Sequence, residues 1–212
     1  RGAAQAEQDG EVVLRVNGYS QPHKFKTALD YVAGGHETAM SFRDYYKKVS
    51  PPPVGGEMHD EPFFLDTTNL SEALPDQGHL LVLFEQKECP ACDELHQDIL
   101  KREKTLDQIK RHRVVQLDMW SKQPLITPQG EKTTVSEWAQ ALDVKYTPTY
   151  VFFNAKGEEV FRAEAYLKAF HIQSVLDYVA SNAYEKESEF QRYVEHRADQ
   201  LREQGETINL MD

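Results

Sequence analysis

Leu80-Leu81-Val82-Leu83-Phe84-Glu85-Gln86-Lys87-Glu88-Cys89-Pro90-Ala91-Cys92 is the stretch on which the reading of the fold turns. Leu80 to Phe84 is continuously apolar, the pattern of a strand buried on both faces. Four polar residues then turn the chain. Apolar Leu95, Ile99, Leu106 and Ile109 predict a helix from Cys89 to Lys110. A thiol at a helix start faces unpaired backbone N–H groups and the positive end of the helix dipole, both of which favour its thiolate. Pro90 is tolerated in the first turn, where its missing N–H had no partner. Cys92, one turn further in, keeps its proton longer. The spacing therefore predicts an exposed nucleophile, Cys89, which attacks a disulfide to form a mixed disulfide, and a covered thiol, Cys92, which resolves it. A bare C-x-x-C also fits a structural disulfide or half of a metal site. The strand–turn–dithiol–helix context is what favours exchange chemistry.

Working outward, Val114 to Asp118 reads as a second strand, and Val135 to Leu142 as a short helix capped by Thr134 or Ser136. Tyr150 to Phe153 is a third strand, Asn154 to Gly157 a hairpin turn, and Glu159 to Phe161 the returning strand. Phe170 to Val179 closes the unit as a helix. The order β-α-β-α-β-β-α is an α/β fold with a mixed sheet, parallel crossovers first and an antiparallel hairpin last. Upstream, residues 1–55 form an N-terminal extension, with an alternating strand at Val12 to Val16 and a helical pattern through Ala28, Leu29, Val32, Phe42, Tyr45 and Tyr46. Pro51-Pro52-Pro53 and then Gly55-Gly56 read as its linker. Residues 56–184 are the α/β domain. Residues 185–212 are a tail in which Phe190, Tyr193, Val194 and Leu201 recur near helical spacing, predicting an amphipathic helix.

Composition removes several function classes. The 212 residues carry 24 Lys and Arg against 35 Asp and Glu, a net charge of −11. A chain without a basic stripe is a poor partner for nucleic acid or an anionic membrane surface. Its longest apolar run is far short of the roughly 20 residues a spanning helix needs. Two cysteines cannot make the disulfide framework of a small secreted domain. The start, Arg1-Gly2-Ala3-Ala4, lacks a charged-then-apolar leader and reads as a mature or trimmed terminus.

Val144-Lys145-Tyr146-Thr147-Pro148-Thr149-Tyr150-Val151 puts a proline at the mouth of a strand, downstream of the dithiol. Here the chain resembles the thioredoxin fold, in which a cis-proline sits beside the two cysteines. The resemblance implies a redox-active Cys89–Cys92 disulfide and a cis Thr147–Pro148 bond that clamps an extended substrate. Phe84-Glu85-Gln86, Val115-Gln116-Leu117-Asp118-Met119-Trp120, Tyr178 to Tyr184, and the ending Phe190-Gln191-Arg192-Tyr193 with Ala198 to Gly205 are similar to SoxW-type thioredoxin-related proteins. That likeness spans roughly residues 60–212. It implies an exported, periplasmic thiol–disulfide oxidoreductase acting on disulfide-containing protein or small-molecule substrates. It also implies a membrane or soluble thiol as electron donor, and no cofactor or metal.

Departures from the family pattern are informative. Thioredoxins place a buried aspartate six residues before the first cysteine, where this chain has Leu83. Glu85 lies two residues on and on the same strand face. It reads either as a proton relay for Cys92 or as a solvated strand-end carboxylate. Glu88 stands where a tryptophan usually precedes the first cysteine, with Lys87 beside it. Pro-Ala between the cysteines lacks the histidine of strong oxidants, which leans toward a reductase. Two rivals stand beside this reading: a disulfide isomerase dimerised through residues 1–55, and a binding module with an inert disulfide. His96 shares a helix face with Cys92, but zinc on Cys89, Cys92 and His96 would need a fourth ligand, so it reads as solvated or partly packed. Trp120 and residues 121–134 read as a connection or a partner surface. Phe63 and Phe64 are expected to pack onto the domain, while Tyr45 and Tyr46 have no assigned role.

Overall fold

The computed structural model describes residues 4–8, 11–16, 22–49 and 56–208. The chain opens with an antiparallel ribbon, β1 (Ala4–Gln8) and β2 (Glu11–Val16), followed by helices α1 (Pro22–Ala33) and α2 (Phe42–Val49). Strand β1 was not legible in the polar start of the sequence. The Pro51–Gly55 linker lies outside the described residues. From Gly56 the chain runs through a short helix, α3 (Leu70–Ala73), into β3 (His79–Glu85), α4 (Pro90–Gln97), α5 (Glu103–Ile109) and β4 (His112–Asp118). A small ribbon, β5 (Pro124–Ile126) and β6 (Lys132–Thr134), leads to α6 (Val135–Ala141). The hairpin β7 (Thr149–Asn154) and β8 (Glu159–Glu164) precedes α7 (Ala169–Ala180) and α8 (Phe190–Glu203).

The central sheet has the order β4-β3-β7-β8. Strand β3 runs parallel to β4 and antiparallel to β7, and β7 antiparallel to β8. All seven residues of β3 are buried, as a strand with helices on both faces requires. Side-chain alternation splits them between two cores. Leu80, Val82 and Phe84 join Trp138 and Ala139 of α6, while Leu81 and Leu83 join Leu95 of α4 and Ile172, Val175 and Leu176 of α7. Phe63 and Phe64 pack against the second core. The tail helix α8 seats Val194 and Ala198 against Phe170.

One predicted helix is broken. The chain from Cys89 to Lys110 is α4, a single 3-10 turn at Ile99–Lys101, and α5, with an extended Arg102 between the last two. The break lets the consecutive Ile99 and Leu100 both be buried, which a straight helix would place about 100° apart. Residues 121–134, read as a connection or a partner surface, contain the β5–β6 ribbon and end on Thr134. Its hydroxyl accepts from the Glu137 backbone N–H, and the Glu137 carboxylate accepts in turn from the Thr134 N–H, closing a capping box at α6.

The N-terminal helices dock on the domain. Leu14, Ala28, Tyr31 and Phe42 share a small core with Tyr146 and Ala165, and Tyr45 and Tyr46 pack around it. Buried Arg43 donates to the carbonyls of Met119 and Ser136, both at 2.6 Å, and its guanidinium lies 4.9 Å over the Trp120 ring. Hydrogen bonds from a charged donor contribute about 1.5–3 kcal/mol each, so Arg43 is a principal tie between the two parts.

Candidate active site: a dithiol backed by a buried charge network

Strand β3 delivers the chain to the site and α4 begins there. Glu88, with φ of 51°, turns the backbone through the left-handed region just before Cys89. Cys89 is the N-cap of α4: its Sγ accepts from the Cys92 backbone N–H at 3.2 Å, and Pro90 occupies the first turn. Cys89 and Cys92 are joined as a disulfide. The Thr147–Pro148 bond is cis and brings Thr147 against the dithiol. The Thr147 carbonyl oxygen lies 3.8 Å from Cys89 Sγ and its hydroxyl oxygen 3.4 Å away.

The expected contrast in exposure is corrected. Cys89 is 1% exposed and Cys92 2%. Thr147 packs on the Cys89 sulfur, and the backbone of Gly56 lies on the turn just before it. A Cβ added at Gly56 would stand 2.9 Å from Glu88 Cγ and 3.0 Å from the Glu88 nitrogen, so any larger residue would push the Glu88 turn aside. In the disulfide form both sulfurs are covered. The two differ in position: Cys89 caps α4 and its sulfur meets Thr147, whereas Cys92 lies within the first turn of the helix.

Between the end of β3 and α4 lies a feature the sequence did not display. Glu85 and His96 are buried, not solvated. His96 Nε2 lies 3.0 and 3.2 Å from the two oxygens of Glu85, and its Nδ1 lies 3.1 Å from Glu61 Oε1. Glu61 in turn accepts from Lys101 Nζ at 2.8 Å with both oxygens, and Gln116 of β4 donates to Glu85 at 2.5 Å. His59 stacks on the His96 ring at 4.5 Å, and its Nε2 reaches Asp93 at 2.7 Å. Both nitrogens of His96 are occupied by carboxylates, which leaves none for a metal shared with the cysteines. Burial alone would lower the His96 pKa; the hydrogen bonds and charge of Glu85, then of Glu61, outweigh it and raise the pKa above the usual histidine value. Burial, followed by the charge of Glu85, holds the neighbouring Tyr150 phenol well above its usual range.

Trp120 also finds its partners within the chain. Its indole N–H donates to Gln86 at 3.0 Å, and Arg43 and Lys47 lie over its ring. Glu61 and Lys101 were missed because nothing in their local sequence marks them; only the folded chain brings them to His96.

A mixed four-stranded sheet with a dithiol at the start of the helix after its central strand defines a thiol–disulfide oxidoreductase. The family described as a thioredoxin-like domain matches residues 67–180, more than half of the sequence, and the chain belongs to it. A thioredoxin-fold protein from Helicobacter pylori is 18% identical, superposes with a TM-score of 0.57, and aligns over 65% of this chain and 92% of its own. The periplasmic thioredoxin SoxS from Paracoccus pantotrophus, in its reduced form, is 22% identical with a TM-score of 0.37, over 50% of this chain and 98% of its own. No curated protein shows a significant sequence match.

Proposed function

We propose that the protein is a reductase of protein or small-molecule disulfides that works through Cys89-Pro90-Ala91-Cys92. The observation that carries this reading is the placement of Thr147 on the Cys89 sulfur at the mouth of α4. Cys89 thiolate attacks a substrate disulfide, releasing one substrate thiolate and forming a mixed disulfide. Glu85 takes the proton of Cys92, and the Cys92 thiolate then attacks the Cys89 sulfur. The bond to substrate breaks, the second substrate thiolate leaves, and two electrons have passed from the dithiol to the substrate. Thr147 and Pro148 hold the substrate as an extended segment, with the backbone of Thr147 available to it. A membrane-bound or soluble thiol donor restores the dithiol. Residues 1–55 act as an accessory module, 56–184 as the catalytic domain and 185–212 as a helical brace. The sequence likeness to exported SoxW-type proteins supports a periplasmic location.

The test is turnover and potential together. Purified protein should reduce insulin with dithiothreitol as donor, and Cys92→Ser should accumulate a mixed disulfide that Cys89→Ser does not form. Equilibration against glutathione should give a potential near that of thioredoxin, about −270 mV, rather than the roughly −120 mV of a strong oxidant. No insulin reduction would instead support an inert binding module, and loss of a dimer on deleting residues 1–55 would support the isomerase.

A further inference from the structure

Four side chains form a continuous line from the end of β3 to the surface: Glu85, His96, Glu61 and Lys101. The first three are 1%, 2% and 5% exposed, and the Lys101 side chain is 58% exposed. Burying such a group is expensive, and apolar residues of similar volume would often give an equal or more stable core. Its location therefore invites a functional account. His96 follows Cys92 by one turn on α4, so the two side chains stack on one buried face, and Glu85 meets that face from the strand below.

We propose that His96 relays the proton of Cys92 between Glu85 and solvent, taking it at Nε2 and passing one from Nδ1 to Glu61. The inference rests on the reading of Glu85 as the base for Cys92. In the resolving step the Cys92 S–H bond breaks, its proton goes to Glu85, and its electron pair forms the bond to Cys89. Glu85 then gives that proton to the lone pair of Nε2 in the neutral form of His96 that carries its hydrogen at Nδ1, the Nδ1 proton moves to Glu61, and Glu61 releases it to water beside Lys101. Regeneration of the dithiol runs the same path inward. Imidazole suits this position because it can gain a proton at one nitrogen and lose one from the other without rotating. Here each nitrogen lies within hydrogen-bond reach of a carboxylate that can give or take a proton, and Lys101 balances the charge of the outer carboxylate. The other titratable groups near the network are His59, stacked on the ring and paired with Asp93, and Tyr150 of β7, whose phenol feels the charge of Glu85. Gln116 from β4 and the edge of Phe64 complete the enclosure.

His96 does not touch the reacting sulfurs, so the test separates relay from scaffold. Reduced protein is mixed with a chromogenic aromatic disulfide; the first thiolate released reports attack by Cys89, and the second reports resolution by Cys92. His96→Gln should lower the second rate relative to the first by about a hundredfold at neutral pH, the low side of what a positioned proton-transfer group supplies. Added imidazole should restore part of that loss in proportion to its concentration. Glu61→Gln, which keeps a hydrogen-bonding partner for Nδ1 but not its charge, should shift the pH profile of the second phase, and it serves as the test should His96→Gln fail to fold. A ratio within about twofold of the parent, a slowing that imidazole does not relieve, or an unmoved Glu61→Gln profile would overturn the relay. Slow resolution in Glu85→Gln beside normal resolution in His96→Gln sinks the relay alone. Normal resolution in Glu85→Gln sinks the base reading and the relay with it.

Discussion

His96 and His112 are both buried against the same sheet, yet their surroundings drive them in opposite directions. His96 lies on α4 one turn after Cys92 with a carboxylate on each ring nitrogen, and its pKa is raised. His112 lies at the opposite end, where β4 begins, paired in register with His79 at the start of β3. Its Nε2 lies 3.0 Å from the Leu176 carbonyl, its Nδ1 has no hydrogen-bond partner, and burial lowers its pKa to about 4. His79 shares this fate: its Nε2 reaches the Tyr184 hydroxyl at 3.1 Å, and burial again lowers its pKa. Burial penalises the charged ring at both ends; neighbouring carboxylates reverse the outcome at one of them. The two ends of the sheet thus differ in charge: a histidine held between carboxylates on the dithiol's helix, and two histidines kept neutral by burial at the other end.

The largest effect expected from breaking this contrast is on turnover. Cys89→Ser should abolish insulin reduction, whereas His112→Phe should leave it within about twofold; measurable turnover without Cys89 would remove the dithiol from the chemistry. Next comes His96→Ala, which strands two buried carboxylates. It should cost about 3–5 kcal/mol in denaturant unfolding, the range for breaking a buried ion pair from one side. A loss below 1 kcal/mol would show that water compensates the network.

The pH dependence of stability should sharpen the comparison further, because the two signs differ. The folded state holds His112 at about 4 against an unfolded value near 6.5, so the unfolded chain binds the extra proton first. That contribution is whole above about pH 6.5 and is lost on acidification toward about pH 4, amounting to roughly 3 kcal/mol. His96 is raised, so its contribution is whole below about pH 6.5 and is lost as pH climbs through its folded value. Urea midpoints measured for His112→Phe across this range should flatten on the acid side only. The smallest effect belongs to Lys101→Met. With its side chain 58% exposed, its pair with Glu61 is screened, and the stability cost should stay at about 1 kcal/mol or less.

The domain was legible because its signals are local. A continuous apolar run names a doubly covered strand, the thiols occupy a helix start, and an Asn-to-Gly turn names the β7–β8 hairpin. The unread parts rest on long-range contact or on small departures from regular geometry. Glu61 meets His96 across 35 residues and Arg43 meets Met119 across 76, with no periodicity to announce either. Helix periodicity in Leu95, Ile99, Leu106 and Ile109 was real, but it could not reveal the extended Arg102 between two short helices. His96 shows the limit most clearly: its spacing from Cys92 gave its face correctly, and its burial and charge depended on two carboxylates elsewhere in the chain.

The dispersed origin of that network also has a kinetic meaning. Its members come from the segment before α3, the end of β3, α4, the turn after it and β4, so it closes only once the strands have paired and α4 has settled on them. Contacts that complete themselves last are weakly formed in the folding transition state. Substitutions at Glu61 or Lys101 should therefore appear mainly as faster unfolding, with the refolding limb of the chevron nearly unmoved. The same charges would then govern how long the native molecule persists between openings, separately from how quickly it first forms.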